Sequence, residues 1–366
     1  MRRILVSGGA GFIGSHVCAA LLEWGHEVVV VDDFSNSDPS ALDRVAAVAG
    51  RRPTAYRMDV RDRRCLAAVF GTHAIDVVIH LAAKKAVSES VRMPLTYYDV
   101  NVAGTLALLE TACRHAVRDF VFSSSCSIYG WAKRSPIDED EPPAPVSPYG
   151  ASKRMCEEVL AAGCEQYRDL SVISLRYFNP IGAHESGLLG DDPTGVPNNV
   201  MPILARVATG RLDQLDVFGS DYPTVDGTAV RDYVHVADVA DGHRVALDHL
   251  ADGVGLRAFN LGTGVGTSVL QLVQAFGRAC GQELPYRIVA RRPGDVAELV
   301  GDPGRVRRAW NWRATRDLDA MCRDAWRFQQ RTVSAGRTQR TSLPAERIAP
   351  VPGLQESSKL VHEIID

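Results

Sequence analysis

Residues 4–33 constrain this chain more than any other stretch. Ile4-Leu5-Val6-Ser7 reads as a strand, and Gly8-Gly9-Ala10-Gly11-Phe12-Ile13-Gly14 as a glycine-punctuated turn. An apolar helix pattern runs from Ile13 to about Trp24, and Gly25 is placed to end it. A second strand follows from Glu27 to Val31, with four consecutive valines and Asp32-Asp33 at its tip. A continuous β-branched run fits a strand covered on both faces, as in a parallel sheet. Glycines at 8, 11 and 14 permit a tight turn and bring backbone N–H groups close to a pyrophosphate, at the end of a helix whose dipole favours an anion. Asp32 lies eighteen residues after Gly14. A carboxylate there accepts hydrogen bonds from an adenosine ribose and repels a 2′-phosphate, so the pattern predicts NAD rather than NADP.

Further strands are predicted at Ala55–Met58, Val77–His80, Phe120–Ser123 and Val172–Arg176. Helical patterns separate them, around Ala41–Ala49, Cys65–Val69, Val100–His115 and Ser152–Tyr167. This alternation implies βαβ units and an α/β fold, a doubly wound parallel (Rossmann) sheet. After Phe178 the texture changes, and Gly182 to Asn199 is a polar loop rich in Gly, Pro, Asn and Asp. The expected organisation is a dinucleotide-binding domain over 1–180 and a smaller mixed α/β substrate domain over 181–331, with some segments returning to the first. A mobile tail is expected over 332–366, where polar residues show no periodicity.

Composition narrows the function. The 366 residues carry a formal net charge of −3, with a pI near 6.4. That balance argues against nucleic-acid binding and against an electrostatic membrane clamp. No apolar run approaches the ~20 residues needed to span a membrane, and the apolar start is too short for a signal peptide. The eight cysteines form no Cys-x-x-Cys pair and read as buried thiols in a reducing compartment. A cytoplasmic protein is expected. No metal-ligand cluster stands out, and His16 and His80 read as packing residues.

The catalytic signal lies in Tyr149 and Lys153, four residues apart and so on one helix face. A free tyrosine, with a pKa of ~10, is a poor base at neutral pH. An adjacent ammonium and a positive nicotinamide ring would stabilise its phenolate. Ser123-Ser124-Ser125 ends a strand on the cofactor side, where a hydroxyl can hold a substrate oxygen. The glycine turn, Ser125 and Tyr149-x-x-x-Lys153 together resemble the extended short-chain dehydrogenase/reductase superfamily. Five further stretches narrow this: Lys84–Ser90, Arg176–His184, Pro197–Asn199, Asp226–Tyr233 and Arg291–Asp295. They resemble the UDP-glucose 4-epimerase family over residues 1 to about 330.

That resemblance implies a reaction without net redox. The sugar 4-hydroxyl gives its proton to the tyrosine and its C4 hydride to NAD⁺. The 4-keto sugar turns over, and the hydride returns to the other face. By position, Tyr149 is the acid/base, Lys153 its electrostatic partner and a nicotinamide-ribose ligand, and Ser125 the catalytic serine, with Ser124 the alternative. Gly8, Gly11, Phe12, Ile13, Gly14, Asp32, Asp33, Phe34, Ser35, Asn36, Ser37, Asp59, Val60, Leu81, Ala82, Ala83, Lys85 and Phe178 match further cofactor contacts, as does Asn101, with Val100 its alternative. Arg231 and Arg292 match binders of the UDP diphosphate, which suits an Arg fork. Asp295 matches a ribose ligand, and Asn179, Asn199 and Val200 match sugar or phosphate contacts. Leu215, Val217 and Phe218 match the uracil wall. Lys85, Ser125 and Tyr149 also face the sugar.

Three rivals share this fold, one of them a non-catalytic NAD-sensing protein with little need of the Ser125, Tyr149 and Lys153 set. A nucleotide-sugar 4,6-dehydratase needs an Asp-Glu pair just past the catalytic hydroxyl, where this chain has Cys126-Ser127. A net oxidoreductase would release NADH on each turnover. Leu299 matches the family's gatekeeper of the sugar pocket and bears on whether UDP-GlcNAc and UDP-GalNAc also fit; packing alone is its other reading. Relatives form homodimers, which the resemblance assigns here to Val100–His115 and Ser152–Tyr167.

Overall fold

The computed structural model describes residues 1–193, 197, 199–292, 294–336 and 348–353. In chain order the strands are β1 (Arg3–Ser7), β2 (Glu27–Asp32), β3 (Thr54–Arg57), β4 (Val77–His80), β5 (Asp119–Ser125), β6 (Ser171–Tyr177), β7 (Asn179–Ile181), β8 (Leu215–Phe218), β9 (Val230–His235), β10 (Gly255–Leu261), β11 (Gly266–Ser268), β12 (Tyr286–Val289) and β13 (Glu298–Leu299). The helices are α1 (Phe12–Glu23), α2 (Ser40–Ala49), α3 (Arg63–Thr72), α4 (Val87–Arg92), α5 (Pro94–Tyr97), α6 (Gly104–Arg114), α7 (Pro148–Gln166), α8 (Val200–Ala208), α9 (Val236–Asp248), α10 (Val269–Cys280), α11 (Gly304–Trp310) and α12 (Leu318–Gly336).

Seven strands form one sheet in the order β10-β6-β5-β4-β1-β2-β3, every pair parallel. This is the doubly wound α/β fold that the alternating pattern predicts. Apolar runs such as Ile4–Val6 and Val77–Ile79 are fully buried because helices cover both faces. One core layer joins the sheet to α1, α2 and α9, and the other to α3, α6 and α7. The order reverses between β1 and β4, which opens a crevice at the strands' C-terminal ends.

Beyond β6 the chain alternates between two places. β7, β9, β11 and β13 make a small mixed sheet, and β8 pairs with β12. β10 and α9 return to the large sheet and its core. A separate apolar cluster joins α8, α10 and α12.

Several boundaries differ from the sequence reading, each for a tertiary reason. β5 runs two residues past Ser123, because its partner β6 continues and pairs Ser125 with Tyr177. α7 begins at Pro148, with Pro at the first helical position and the Ser147 hydroxyl accepting from the Gly150 amide at 3.1 Å. Tyr149 therefore sits in its first turn. The helix expected from Val100 starts as a π-turn over Tyr98–Ala103 before α6. The expected mobile tail needs a correction at its start: α12 continues through residues 332–336, its apolar side packed against α8 and α10. Residues 337–347 and 354–366, also assigned to that tail, lie outside the described residues.

Candidate active site

β5 and α7 deliver the three residues of the catalytic signal to the crevice. Ser125 ends β5 in extended conformation, and its hydroxyl accepts from the Ser127 amide at 3.1 Å. Tyr149 is half-buried and Lys153 buried, one turn apart on α7. The neighbouring Ser124 hydroxyl donates instead to the buried Glu157 carboxylate at 2.7 Å. The alternation of the strand thus turns Ser124 away from Tyr149 and leaves Ser125 facing it.

The electrostatics depart from expectation in one respect. Burial pushes the Tyr149 phenol up to about 12, while a hydrogen bond with Ser125 pulls it downward. Burial lowers Lys153 to about 8, and the charge of Glu157 raises it in part. The Lys153 ammonium donates to the Ser123 carbonyl at 2.6 Å and lies 4.8 Å from the Phe122 ring centre. In the polypeptide alone the Ser125 hydrogen bond favours the phenolate.

The loop Leu81–Lys85 is fastened from below. Leu81 N donates to Ser7 O at 3.0 Å, and Ala82 N to Ser7 Oγ at 3.3 Å. Asn101 exchanges bonds with the Lys84 backbone in both directions and donates to Ser152 Oγ at 2.9 Å. The π-turn brings Asn101 into that buried position, a use often made of such turns at functional sites. Both Nδ2 hydrogens are used by protein groups and Oδ1 accepts one bond, so Asn101 braces the Lys84 loop. His80, read as a packing residue, bridges Ser7 Oγ at 2.6 Å and Thr105 Oγ1 at 3.0 Å.

The residues around α1 fit a dinucleotide. Its N-cap is Gly11, which supplies no side-chain cap to the first-turn amides. A Cβ on Gly14 would lie 2.1 Å from the Gly8 carbonyl oxygen, and one on Gly8 2.7 Å from Ala82 N. Phe12 and Ile13 are half-buried in that first turn. Asp32, 8% exposed, accepts from Ala10 N at 3.0 Å, Phe34 N at 2.9 Å and Ser37 Oγ at 3.1 Å. Burial raises its pKa while these three bonds lower it, and ribose hydroxyl donors would act in the same sense as the bonds. Phe34 adopts φ +57° to close this turn, which costs about 1–2 kcal/mol. Asp33 accepts from Ser35 N at 2.8 Å, and Ser35 and Asn36 are exposed. Asp59 pairs with Arg61, which lowers its pKa, and buried Val60 stands beside Gly104. Lys85 is exposed, its ammonium 5.9 Å from the Phe12 ring centre, and Ala83 is half-buried.

A second group gathers across the crevice. Arg292 pairs with Asp295 at 3.0 Å, and its guanidinium lies 4.8 Å from the Phe218 ring centre. Leu215 and Val217 are buried beneath. Arg231 does not pair with adjacent Asp232. Asp232 faces the other side of β9, where it is fully buried and accepts from Thr263, Gly264 and Gly301. Leu299 aligns with Arg231 in the ladder and packs with Cys126, Tyr129 and Phe178. Asn199 stands at the N-cap position of α8, ahead of half-buried Val200, with no side-chain cap bond; its amide donates to Asp191 at 3.0 Å instead. Asn179 Oδ1 is buried without a partner.

Sequence reasoning missed Tyr222. Its buried hydroxyl has no partner, its ring stacks under Arg291 at 4.1 Å, and it feels the charges of Asp295, Arg231 and Arg292. No sequence pattern marks it, because the loop after β8 is what folds it inward. Among the described residues no group of three or more His, Cys, Asp or Glu side chains is placed to hold a metal.

A glycine-opened helix, an acid at the β2 tip and a Tyr-x-x-x-Lys helix on this sheet define an NAD-binding short-chain dehydrogenase/reductase architecture. Residues 4–262 match the NAD dependent epimerase/dehydratase family. The chain is 50% identical over 331 residues to the UDP-glucose 4-epimerase of Bacillus subtilis (strain 168), covering 90% of this chain and 98% of that one. It is 47% identical to the UDP-glucose 4-epimerase of Homo sapiens, covering 92% and 99%. The crystal structure of the Bifidobacterium longum UDP-glucose 4-epimerase in complex with NAD+ and UDP superposes with a TM-score of 0.89 at 44% identity, covering 90% and 99%. The chain belongs to the NAD dependent epimerase/dehydratase family, and within it to the UDP-glucose 4-epimerases.

Proposed function

We propose that this protein interconverts UDP-glucose and UDP-galactose by inversion at C4, with NAD held throughout. The observation that carries this reading is that Tyr149 bonds Ser125 and Lys153 bonds the Ser123 carbonyl, while Arg231 acts on Cys126 beside Ser125 and shares the surroundings of Tyr222 with Arg292 and Asp295. NAD, when bound, supplies a hydride acceptor and donor and a positive ring. Tyr149 takes the proton from the 4-hydroxyl and returns it after the 4-keto sugar has turned. Ser125 holds the C4 oxygen against the tyrosine. Lys153 keeps a positive charge beneath the pair and binds the nicotinamide ribose. Asp32 takes the adenosine ribose, the α1 amides take the pyrophosphate, and the remaining cofactor and substrate contacts follow as assigned from the sequence. Arg231 and Arg292 hold the UDP diphosphate, which anchors the molecule while the sugar pivots.

The division at residues 180–181 separates a cofactor side from a nucleotide-sugar side. Leu299, 7% exposed, adds an aliphatic wall rather than a hydroxylated ring. This favours UDP-GlcNAc and UDP-GalNAc as secondary substrates. Leu106 and Met155 expose apolar surface on α6 and α7, which supports a homodimer through those helices. A cytoplasmic location accords with the reduced thiols of all eight cysteines.

The test is incubation of purified protein with UDP-galactose deuterated at C4, without added cofactor, followed by product separation. UDP-glucose that keeps the label is expected. Label lost to water or to free dinucleotide would overturn the proposal.

A further inference from the structure

The large sheet ends at β3, an edge whose backbone groups would otherwise be open to a further strand. Residues 348–353 lie along that edge. Ala349 pairs with Tyr56 in parallel sense, and its amide donates to the Ala55 carbonyl at 2.9 Å. The side chains alternate as in a strand. Ile348 packs on the cluster containing Ala55 and α2, while Ala349 and Val351 pack on the opposite cluster, containing Tyr56, Met58, Val60 and α3. The segment falls outside the stretch that resembles the epimerase family, which ends near residue 330.

Its direction gives it a consequence at the cofactor site. A parallel segment runs toward the same end as β3, and so toward Met58, Asp59 and Val60. Met58 N donates to the Asp32 carbonyl at 3.0 Å, and Arg57 aligns with Asp32 in the ladder. The Arg57 guanidinium also lies 4.8 Å from the Phe34 ring centre. β3 thus supports the backbone of the ribose-binding acid from outside, and Ile348–Val351 supports β3.

We propose that the outer edge of β3 is a strand-accepting surface whose occupant is this chain's own Ile348–Val351, and that this strap slows NAD loss by holding β3 against the Asp32 turn. The second half rests on the cofactor reading given above. The strap also denies the edge to other chains, a common use of edge cover.

Hydrogen exchange on the full chain tests the first half. The Ala349 amide should exchange at least tenfold more slowly than in a peptide of residues 345–354. Exchange at the peptide rate would overturn the strap. Protection that disappears on dilution would place the occupant on a second copy and overturn the assignment within one chain. Ala349→Pro, which removes the donating N–H, tests the second half, with Ala349→Ser as a control that keeps it. NAD release should quicken about fivefold in the proline variant, the worth of one hydrogen bond and its packing, and stay unchanged in the serine variant. Equal release rates in all three would sink the link to the cofactor. Purified full chain that carries no NAD would instead sink the cofactor reading, and exchange at Ala349 would still decide the strap.

Discussion

Glu157→Gln probes the buried support beneath Tyr149 and Lys153. Glu157 lies one turn after Lys153 on α7, and its side chain and that of Arg176 are each 8% exposed. The guanidinium meets the carboxylate in a fork, Nε to Oε1 at 3.0 Å and Nη2 to Oε2 at 2.7 Å. Ser124 and Ser174 each donate to Oε1 at 2.7 Å, so the pair ties α7 to β5 and β6. Removing one member of a buried pair costs about 3–5 kcal/mol, because the other charge is left uncompensated. Glutamine keeps the volume and an oxygen for the serines, and Arg176 still donates to Tyr129 Oη at 3.0 Å. A loss of about 3 kcal/mol is therefore expected, at the lower end of that range. Urea unfolding at neutral pH, followed by tryptophan fluorescence, measures it. In the double variant Glu157→Leu/Arg176→Leu neither charge needs a partner, but the Ser124 and Ser174 hydroxyls are left unpaired at about 1–3 kcal/mol each; adjusted for those, its loss should be smaller than that of Glu157→Gln. The substitution has a second readout. The Glu157 charge raises the Lys153 pKa, so its removal lets the ammonium lose its proton at lower pH. The alkaline limb of the turnover profile should shift toward lower pH. A loss below about 1 kcal/mol together with an unmoved alkaline limb would refute the reasoning, since removing half of a buried pair must cost far more.

Tyr149→Phe removes only the hydroxyl proposed to carry the proton. Turnover should fall by about 10²–10⁴-fold with bound NAD retained; loss of cofactor alongside activity would indicate a structural role instead. Leu299→Tyr narrows the wall beside Arg231, and rates on UDP-GalNAc should drop relative to UDP-galactose. An unchanged ratio would show that Leu299 only packs. Burial lowers His16 and His80 to about 3 and His243 to about 4. Each folded value lies below the unfolded ~6.5, so the unfolded chain binds protons first as pH falls. The stability these residues contribute is complete above pH ~6.5 and is lost progressively toward 4. Three such groups give a slope of up to about 4 kcal/mol per pH unit between pH 6.5 and 5. A flat urea midpoint across that window would contradict neutral burial of these histidines.

Local pattern carried most of the cofactor half. The valine run of β2, the spacing of Gly8, Gly11 and Gly14, and Asp32 are short-range signals, because each depends on strand burial or on the turn between one strand and one helix. Tyr149 and Lys153 were equally legible, since helical spacing alone places them on one face. β10 escaped notice because Arg257 and Asn260 interrupt its apolar run. Asn260 is buried only because Glu139, Ile137 and Tyr129 meet its polar atoms from distant parts of the chain.

The amino-acid order by itself settled the fold class, the glycine turn, the acid at the β2 tip and the placing of Tyr149 and Lys153 on one helix face. Tertiary structure alone tied Ser124 to Glu157 and left Ser125 to Tyr149, bound Asn101 to the Lys84 backbone, and laid Ile348–Val351 on the β3 edge. The physical reason is the same in each case. A periodic pattern reports which way a side chain leaves its own element, whereas its hydrogen-bond partner comes from another element whose arrival only the packed chain determines.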